Sequence, residues 1–437
     1  MSDATASEAR NAPHIYNLFP RLAGDARTWP EHAERARAMG FDWLYLNPIH
    51  FPGFSGSCYA VQDYARVDPA VLPDGHPDKH YDPALRGDGG RAVVREALTR
   101  IRNLGLRPIM DLVINHTARD APLVTSHPEW FSREADGTVR SPSAIDPADA
   151  RHVTVWGDLA EVDNHASPDR DALWDFWTRL VEDSVRLGFR GFRCDAAYKV
   201  PAALWARLRA AARALDPEVA FFGETLGARL DEVAAVWEAR FDFVFNSSKW
   251  WSFDASWCLE QQAAQPDHVR SVSFPESHDT PRLWAESSGN VAVQRQRYAF
   301  AAAFASGIMM PVGYEYGFAR RLDVVHTRPE AWEEPAVDLS EFVTRVHAAR
   351  RRYPALAAER LHVVCALDQP VLLLAKEGAR RVVHVVVNKD WQASQRLEVP
   401  EAARGARVLR VCRDDAANDE QAGATLELDA AEVVYLV

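Results

Sequence analysis

Ionisable and polar side chains recur just after short apolar runs in this chain. Asn47 and His50 follow the run at 43–46, and Asp111 closes the run at 107–113 with Asn115 and His116 beyond it. Arg193 and Asp195 close the run at 191–195, Glu224 that at 219–224, and His278 with Asp279 follow 271–276. Any one carboxylate so placed could simply cap the next helix or bind loop amides. Several on successive strands could instead divide acid and base duties, because different surroundings separate their proton affinities. Arg193 stands two residues before Asp195 on one predicted strand and therefore points to the same side. It can hold Asp195 ionised and oriented through a charge-assisted hydrogen bond. Cys194, between them, faces away and receives no role.

The surrounding pattern predicts what positions these groups. A strand over 14–19 precedes a helix over 29–39, with Thr28 as N-cap, Pro30 in the first turn and Gly40 as the stop. A helix over 91–104 separates the runs at 43–46 and 107–113. Helices near 171–187, 201–215, 230–240 and 291–305 then alternate with runs at 191–195, 219–224, 241–245, 271–276 and 307–312. About eight strand–helix units with short buried strands indicate a parallel α/β fold. They suit a (β/α)8 TIM barrel, which collects chemistry at the C-terminal ends of its strands; a doubly wound sheet also fits the pattern alone.

Two segments break the alternation. Residues 117–165 are rich in Pro, Asp and His and are expected to form a small irregular subdomain inserted after strand 3. From 355 to 437 the period becomes two, with runs at 361–366, 371–375, 381–388, 395–399, 406–411, 425–428 and 433–437. These predict a C-terminal antiparallel β-sandwich. The catalytic barrel then comprises 13–116 and 166–354, and residues 1–12 are expected to be disordered.

The chain has 437 residues, 47% hydrophobic and 26% charged, the balance of a folded globular protein. A net charge of −12 argues against nucleic acid or an anionic membrane as partner. No apolar run approaches the ~20 residues of a membrane span. The N-terminal residues lack the basic and apolar regions of a secretory signal. Cys58, Cys194, Cys258, Cys365 and Cys412 are odd in number and scattered, without a CxxC pair, against a disulfide framework or zinc site. A cytoplasmic location is the expectation; oligomeric state is not readable.

Four motifs in order carry a resemblance. They are Asp111-Leu112-Val113-Ile114-Asn115-His116, Gly191-Phe192-Arg193-Cys194-Asp195-Ala196-Ala197-Tyr198-Lys199, Phe222-Gly223-Glu224-Thr225 and Glu276-Ser277-His278-Asp279-Thr280. With Cys58-Tyr59-Ala60-Val61-Gln62-Asp63-Tyr64, Gly157-Asp158-Leu159 and Gly307-Ile308-Met309-Met310-Pro311, they resemble the signatures of the α-amylase family of retaining glycosidases and transglycosylases, glycoside hydrolase family 13. The resemblance spans roughly 14–437. It implies double displacement, with Asp195 as nucleophile, Glu224 as acid and base, and Asp279 holding sugar hydroxyls. It implies that His116 and His278 bond the same sugar, that Tyr59 stacks on it, and that Asp63 lies near Arg193. A retaining reaction implies carboxyl groups of Asp195 and Glu224 about 5–5.5 Å apart.

The chain also departs from that pattern. Many family members carry Lys-His at the end of the second signature, whereas Lys199 is followed here by Val200. Lys199 is either an acceptor-sugar contact or a surface residue. Many members bind calcium, for which Asn115, Asp149, Asp158 and Asp163 could supply oxygens. No fixed-spacing carboxylate array is present; structural calcium stays an open alternative that is not predicted, and the mechanism itself needs no metal or cofactor. The expected substrate is an α-1,4-glucan or maltooligosaccharide. Hydrolysis and transglycosylation use the same carboxylates and differ in the acceptor. A maltosyltransferase-like reaction with a sugar or phosphate acceptor is the alternative, and a non-catalytic carbohydrate-binding protein the minor one. Trp391 is the one tryptophan of the C-terminal domain that could serve a glycan surface.

Overall fold

The computed structural model describes residues 12–79, 88–145, 151, 153–379, 381–414 and 420–437. The segment expected to be disordered, apart from a buried Ala12, and Asp149 lie outside these residues.

Eight parallel strands close on themselves: β1 (His14–Leu18), β2 (Trp43–Leu46), β3 (Arg107–Leu112), β4 (Gly191–Cys194), β5 (Ala220–Gly223), β6 (Phe243–Phe245), β7 (Ser271–Ser273) and β8 (Gly307–Pro311). Strand β1 pairs with both β2 and β8, which settles the barrel against the open doubly wound sheet. Helices α1 (Trp29–Ala38), α2 (Arg91–Asn103), α3 (Arg170–Leu187), α4 (Ala202–Leu215), α5 (Leu230–Glu238), α6 (Trp257–Ala264), α7 (Val291–Phe304) and α8 (Ser340–Arg352) follow the strands in turn. Helix α6 was not legible as a helix, because its eight residues show little segregation of apolar side chains and only Cys258 is buried. Thr28 does not cap α1. Its hydroxyl turns back to the carbonyls of Asp25 and Ala23, and α1 grows directly from a 3-10 turn that Asp25 caps.

Strand alternation sorts the side chains. Ile15, Trp43, Tyr45, Ile109, Phe222, Phe243, Val272 and Met309 fill the barrel interior. Their neighbours Tyr16, Leu44, Met110, Leu112, Phe192, Cys194, Phe221, Val244 and Met310 pack outward against the helices. Cys194 therefore does face away from the site. Gly191 is required inside: a Cβ there would lie 2.9 Å from the Trp43 ring and 3.0 Å from Ile109.

The insert after β3 is less irregular than expected. It holds two antiparallel pairs, His116–Ala118 with Leu159–Glu161 and Ser143–Ile145 with Val153–Val155. Beyond α8, five strands form one antiparallel sheet: β9 (Leu361–Val363), β10 (Val371–Glu377), β11 (Val382–Asn388), β13 (Val408–Leu409) and β15 (Val433–Leu436), in the order β9-β10-β11-β15-β13. Strands β12 (Gln395–Glu398) and β14 (Thr425–Leu428) form a second sheet. Both faces of the larger sheet are apolar. Leu373, Val386 and Val434 meet Leu397, Leu426 and Leu428 of the small sheet. Leu372, Leu374 and Val385 turn toward the main core, where the Tyr435 hydroxyl donates to Ala299 O on α7 at 2.7 Å. Trp391 belongs to the same junction, donating its indole N–H to Gln296 on α7.

Candidate active site

Register brings the first two charged groups together. Strands β3 and β4 pair so that Arg193 lies opposite Asp111, and both side chains point inward. Arg193 Nη1 donates to Asp111 Oδ1 at 3.0 Å and to Asp195 Oδ1 at 2.5 Å, while Nη2 lies 3.8 Å from Glu224 Oε2. One guanidinium thus binds carboxylates from β3, the end of β4 and the end of β5. Burial works against its charge, but Asp111, the phenols of Tyr45 and Tyr59, and Asp195 outweigh that and push its pKa upward.

A phenol pair closes the other side. Tyr45 and Tyr59 both donate to Asp111 Oδ2, at 2.5 and 2.6 Å, and Asn47 donates to both phenol oxygens. The Tyr59 ring stacks on His278, with centroids 5.3 Å apart and planes at 10°, and its hydroxyl lies 2.7 Å from His278 Nε2. His278 Nε2 also reaches Asp279 Oδ2 at 3.2 Å. His116 Nε2 donates to the Tyr59 carbonyl at 3.1 Å. Both imidazoles are buried, and the Nδ1 atom of each has no hydrogen-bond partner. Burial holds the His116 ring below the ordinary histidine range, with Asp195 opposing. A neutral ring that donates through Nε2 leaves Nδ1 as an acceptor.

Glu224 is 7% exposed and its pKa is raised to about 7. Burial is the main cause, the negative charges of Asp195 and Asp279 add to it, and Arg193 and the Ala196 amide oppose it. Ala196 N–H donates to Glu224 Oε2 at 2.8 Å, and the Leu226 amide bonds Oε1. The first of these requires Ala196 in the left-handed region, φ +41°, directly after Asp195. A non-glycine residue there stores strain, a feature that concentrates at functional sites.

The structure therefore brings Asp195, Glu224, Asp279, Arg193, Tyr59, His116 and His278 into one cluster. Two expected residues stand apart. Asp63 does not reach Arg193. Its carboxylate accepts from the Ala65 amide, and Asp111 occupies the place beside the guanidinium instead. Lys199 is exposed and its amine pairs with Glu232 on α5 at 3.8 Å. Sequence reasoning missed Tyr45, which reads as an ordinary apolar-run aromatic, and gave Asp111 no place in the site although it closes a run.

Of the calcium-type donors, Asp149 lies outside the described residues. Asn115 Oδ1 is buried without a partner, but Asp163 Oδ1 accepts from the amides of His165 and Ala166. The His, Cys, Asp and Glu donors close enough to share an ion, among the described residues, are His127, Glu129 and Asp169. The chemistry below is derived from side chains alone.

A buried carboxyl raised to about 7, beside a carboxylate held by arginine at the mouth of a TIM barrel, can divide acid and nucleophile duties. The comparisons with known proteins agree. Residues 9–135 match the family model described as "Glycogen debranching enzyme, glucanotransferase domain". The chain is 27% identical over 396 residues to an alpha-1,4-glucan:maltose-1-phosphate maltosyltransferase of Burkholderia pseudomallei (strain K96243), covering 87% of this chain and 33% of that one. It is 24% identical over 416 residues to a cyclomaltodextrinase of Geobacillus thermopakistaniensis (strain MAS1), covering 89% and 66%. The chain thus spans a third of the first relative and just under two thirds of the second. An alpha-amylase crystal structure from Lactobacillus plantarum superposes with a TM-score of 0.77 at 20% identity, covering 99% of this chain and 100% of that one, and so shares the fold. The chain is thus similar in sequence to α-glucan maltosyltransferases and a cyclomaltodextrinase, and shares its fold with an alpha-amylase.

Proposed function

We propose that this chain cleaves α-1,4-linked glucans or maltooligosaccharides with retention, by double displacement. The observation that carries this reading is the pairing of Glu224, lifted to about 7, with Asp195 held by Arg193. In the first step Asp195 attacks the anomeric carbon, the bond to the leaving chain breaks, and Glu224 gives its proton to the leaving oxygen. In the second, water gives a proton to Glu224 and its oxygen takes the anomeric carbon, freeing Asp195. The carboxylate of Asp279, 54% exposed, suits the hydroxyls of one sugar ring, which Tyr59, His116 and His278 would flank. Asp111, with Tyr45 and Asn47, acts through Arg193 and Tyr59 and is a positioning residue.

A second reading replaces water by a sugar hydroxyl or phosphate. The maltosyltransferase relative favours it, and the same two carboxyl groups serve it. Lys199 would meet an acceptor only after leaving Glu232. The reaction as derived needs no metal or cofactor. No helix among the described residues is long and apolar enough to cross a membrane. All five cysteines are unpaired, which supports a reducing, cytoplasmic working place acting on an internal glucan pool.

The test is product analysis after incubation with maltoheptaose, by chromatography and proton NMR, with and without phosphate, against Asp195→Ala and Glu224→Gln. Shorter chains released first as the α-anomer support hydrolysis. Longer chains or a maltosyl phosphate support transfer. Wild-type turnover no greater than that of Asp195→Ala sinks both.

A further inference from the structure

Two charged residues of the segment that carries His278 and Asp279 have no part in the machinery described above. Glu276 and Arg282 bracket the turn that follows β7, and their side chains are each 1% exposed. Arg282 Nη1 donates to Glu276 Oε1 at 2.7 Å, and the Leu283 amide donates to Glu276 Oε2 at 2.6 Å. One carboxylate thus closes the chain around residues 277–281. The guanidinium also reaches outward. Nη2 donates to the Val312 carbonyl just past β8 at 2.9 Å, and Nε to the Arg320 carbonyl at 3.1 Å. A buried ion pair is costly unless further hydrogen bonds satisfy its members, and here each nitrogen of Arg282 has an acceptor.

The turn between them is tight. The Ser277 amide donates to Thr280 Oγ1 at 3.0 Å, and the Asp279 amide to Ser277 Oγ at 3.2 Å. From outside, Arg321 Nη2 donates to the Asp279 carbonyl at 3.0 Å. All of these bonds fix backbone. The side chains that face the site are held more lightly. The Asp279 carboxylate is half-exposed, with His278 Nε2 at 3.2 Å, and His278 leans in turn on the Tyr59 hydroxyl at 2.7 Å. Where that carboxylate stands relative to Asp195 and Glu224 therefore follows from the backbone beneath it. Arg282 registers that backbone on the end of β8. Stability alone does not call for such a pair, because well-packed apolar residues of similar volume often serve as well or better.

We propose that Glu276 and Arg282 are positioning residues, whose buried pair fixes the turn that sets the His278 ring and the Asp279 carboxylate against the sugar. Neither touches substrate. This rests on the retaining reading above, in which Asp279 meets sugar hydroxyls. A misplacement of about 1 Å can cost about 100-fold in rate even when the altered residue lies away from the chemistry. Contacts elsewhere along the glucan would still hold it, so the loss falls on kcat more than on KM.

The experiment separates position from stability. Glu276→Leu/Arg282→Met exchanges the pair for apolar side chains, which in other proteins often leaves stability unchanged or raised. Its kcat on maltoheptaose, per folded molecule counted by circular dichroism, is expected to fall about 100-fold while KM changes by less than about threefold. Arg282→Lys keeps the charge but cannot meet all three acceptors at once. It is expected to lose only about tenfold, a partial rescue, and it decides the matter should the double variant not fold. A wild-type kcat per folded molecule in either variant overturns the proposal, as does a loss confined to KM. If wild type turns nothing over, the retaining reading fails first, and amide hydrogen exchange of Arg282→Lys decides the pair alone. Faster exchange confined to residues 276–283 supports it. Unchanged exchange there, or faster exchange throughout the barrel, overturns it.

Discussion

Both ends of this barrel bury charge, and they treat it differently. At the N-terminal end, His14 and His347 stack at 4.1 Å, and each ring nitrogen is engaged by Gly40, Arg350, Met39 or Tyr298. Arg350 donates to the Ala305 and Ser306 carbonyls, and Lys376 to those of Ala303 and Phe304. Glu359 accepts from the amides of Ser271 and Ser306 and from Gln262 and Gln265. At the C-terminal end three carboxylates share one guanidinium, Ala196 is strained, and the Nδ1 atoms of His116 and His278 are buried without a hydrogen-bond partner. A structural charge is closed by the protein itself. A group that must meet substrate is left with unmet capacity, at a cost in stability.

The largest effects should therefore separate activity from stability. Glu224→Gln and Asp195→Ala are expected to lower kcat by about four orders of magnitude while leaving the melting temperature unchanged or raised. Arg350→Ala should do the reverse. It strands two carbonyls and a histidine, costs about 3 kcal/mol or more, and leaves activity per folded molecule intact. Calorimetry and single-turnover assays on the same preparations check both. A Glu224→Gln variant that loses stability as Arg350→Ala does would erase the contrast.

Asp111→Asn tests whether the shared guanidinium is organised from β3. It should lower kcat about 100-fold or more, with a smaller change in KM, because the substrate contacts remain while Arg193 and Tyr59 lose a partner.

Acid and base expose the two ends in opposite directions. At the active-site end, native Glu224 keeps its proton up to about 7 against an ordinary 4.5, so stability falls as pH rises between those values. Activity that needs the protonated acid falls above about 7, and Glu224→Gln gains stability relative to wild type over that same rise. At the other end burial holds His347 down to about 3 and His14 well below 6.5. Their contribution is complete above about 6.5 and is lost as pH falls toward 3, because the unfolded chain takes up those protons first. Denaturant titrations across pH 4–9 check the two slopes.

The smallest effect expected is that of Ala196→Gly. Relief of the left-handed conformation is worth about 1 kcal/mol, offset by the greater freedom of glycine in the unfolded chain. The melting temperature should move by no more than a few degrees. A large loss would mean that the Ala196 side chain, rather than its amide, matters.

Much was legible locally. Short apolar runs alternating with amphipathic segments announced a barrel, and polar residues at the run ends announced Asp195, Glu224 and Asp279, because a strand's inward or outward sense follows from its period of two. Arg193 was legible for the same reason, standing two residues from Asp195. Helix α6 was not, since its eight residues bury little and carry no strong periodicity.

What the chain alone determined is the inventory: eight strand–helix units, the insert, the β domain and the charged residues that end particular strands. Only the tertiary structure decided the partnerships. Asp111 and Arg193 are 82 residues apart and meet because β3 and β4 pair in one register. Resemblance assigned that place to Asp63, whose carboxylate instead closes a local turn with Ala65. Strand periodicity is a local property, whereas register and closure come from packing among segments far apart in sequence, and proton affinity at Glu224 follows from that packing.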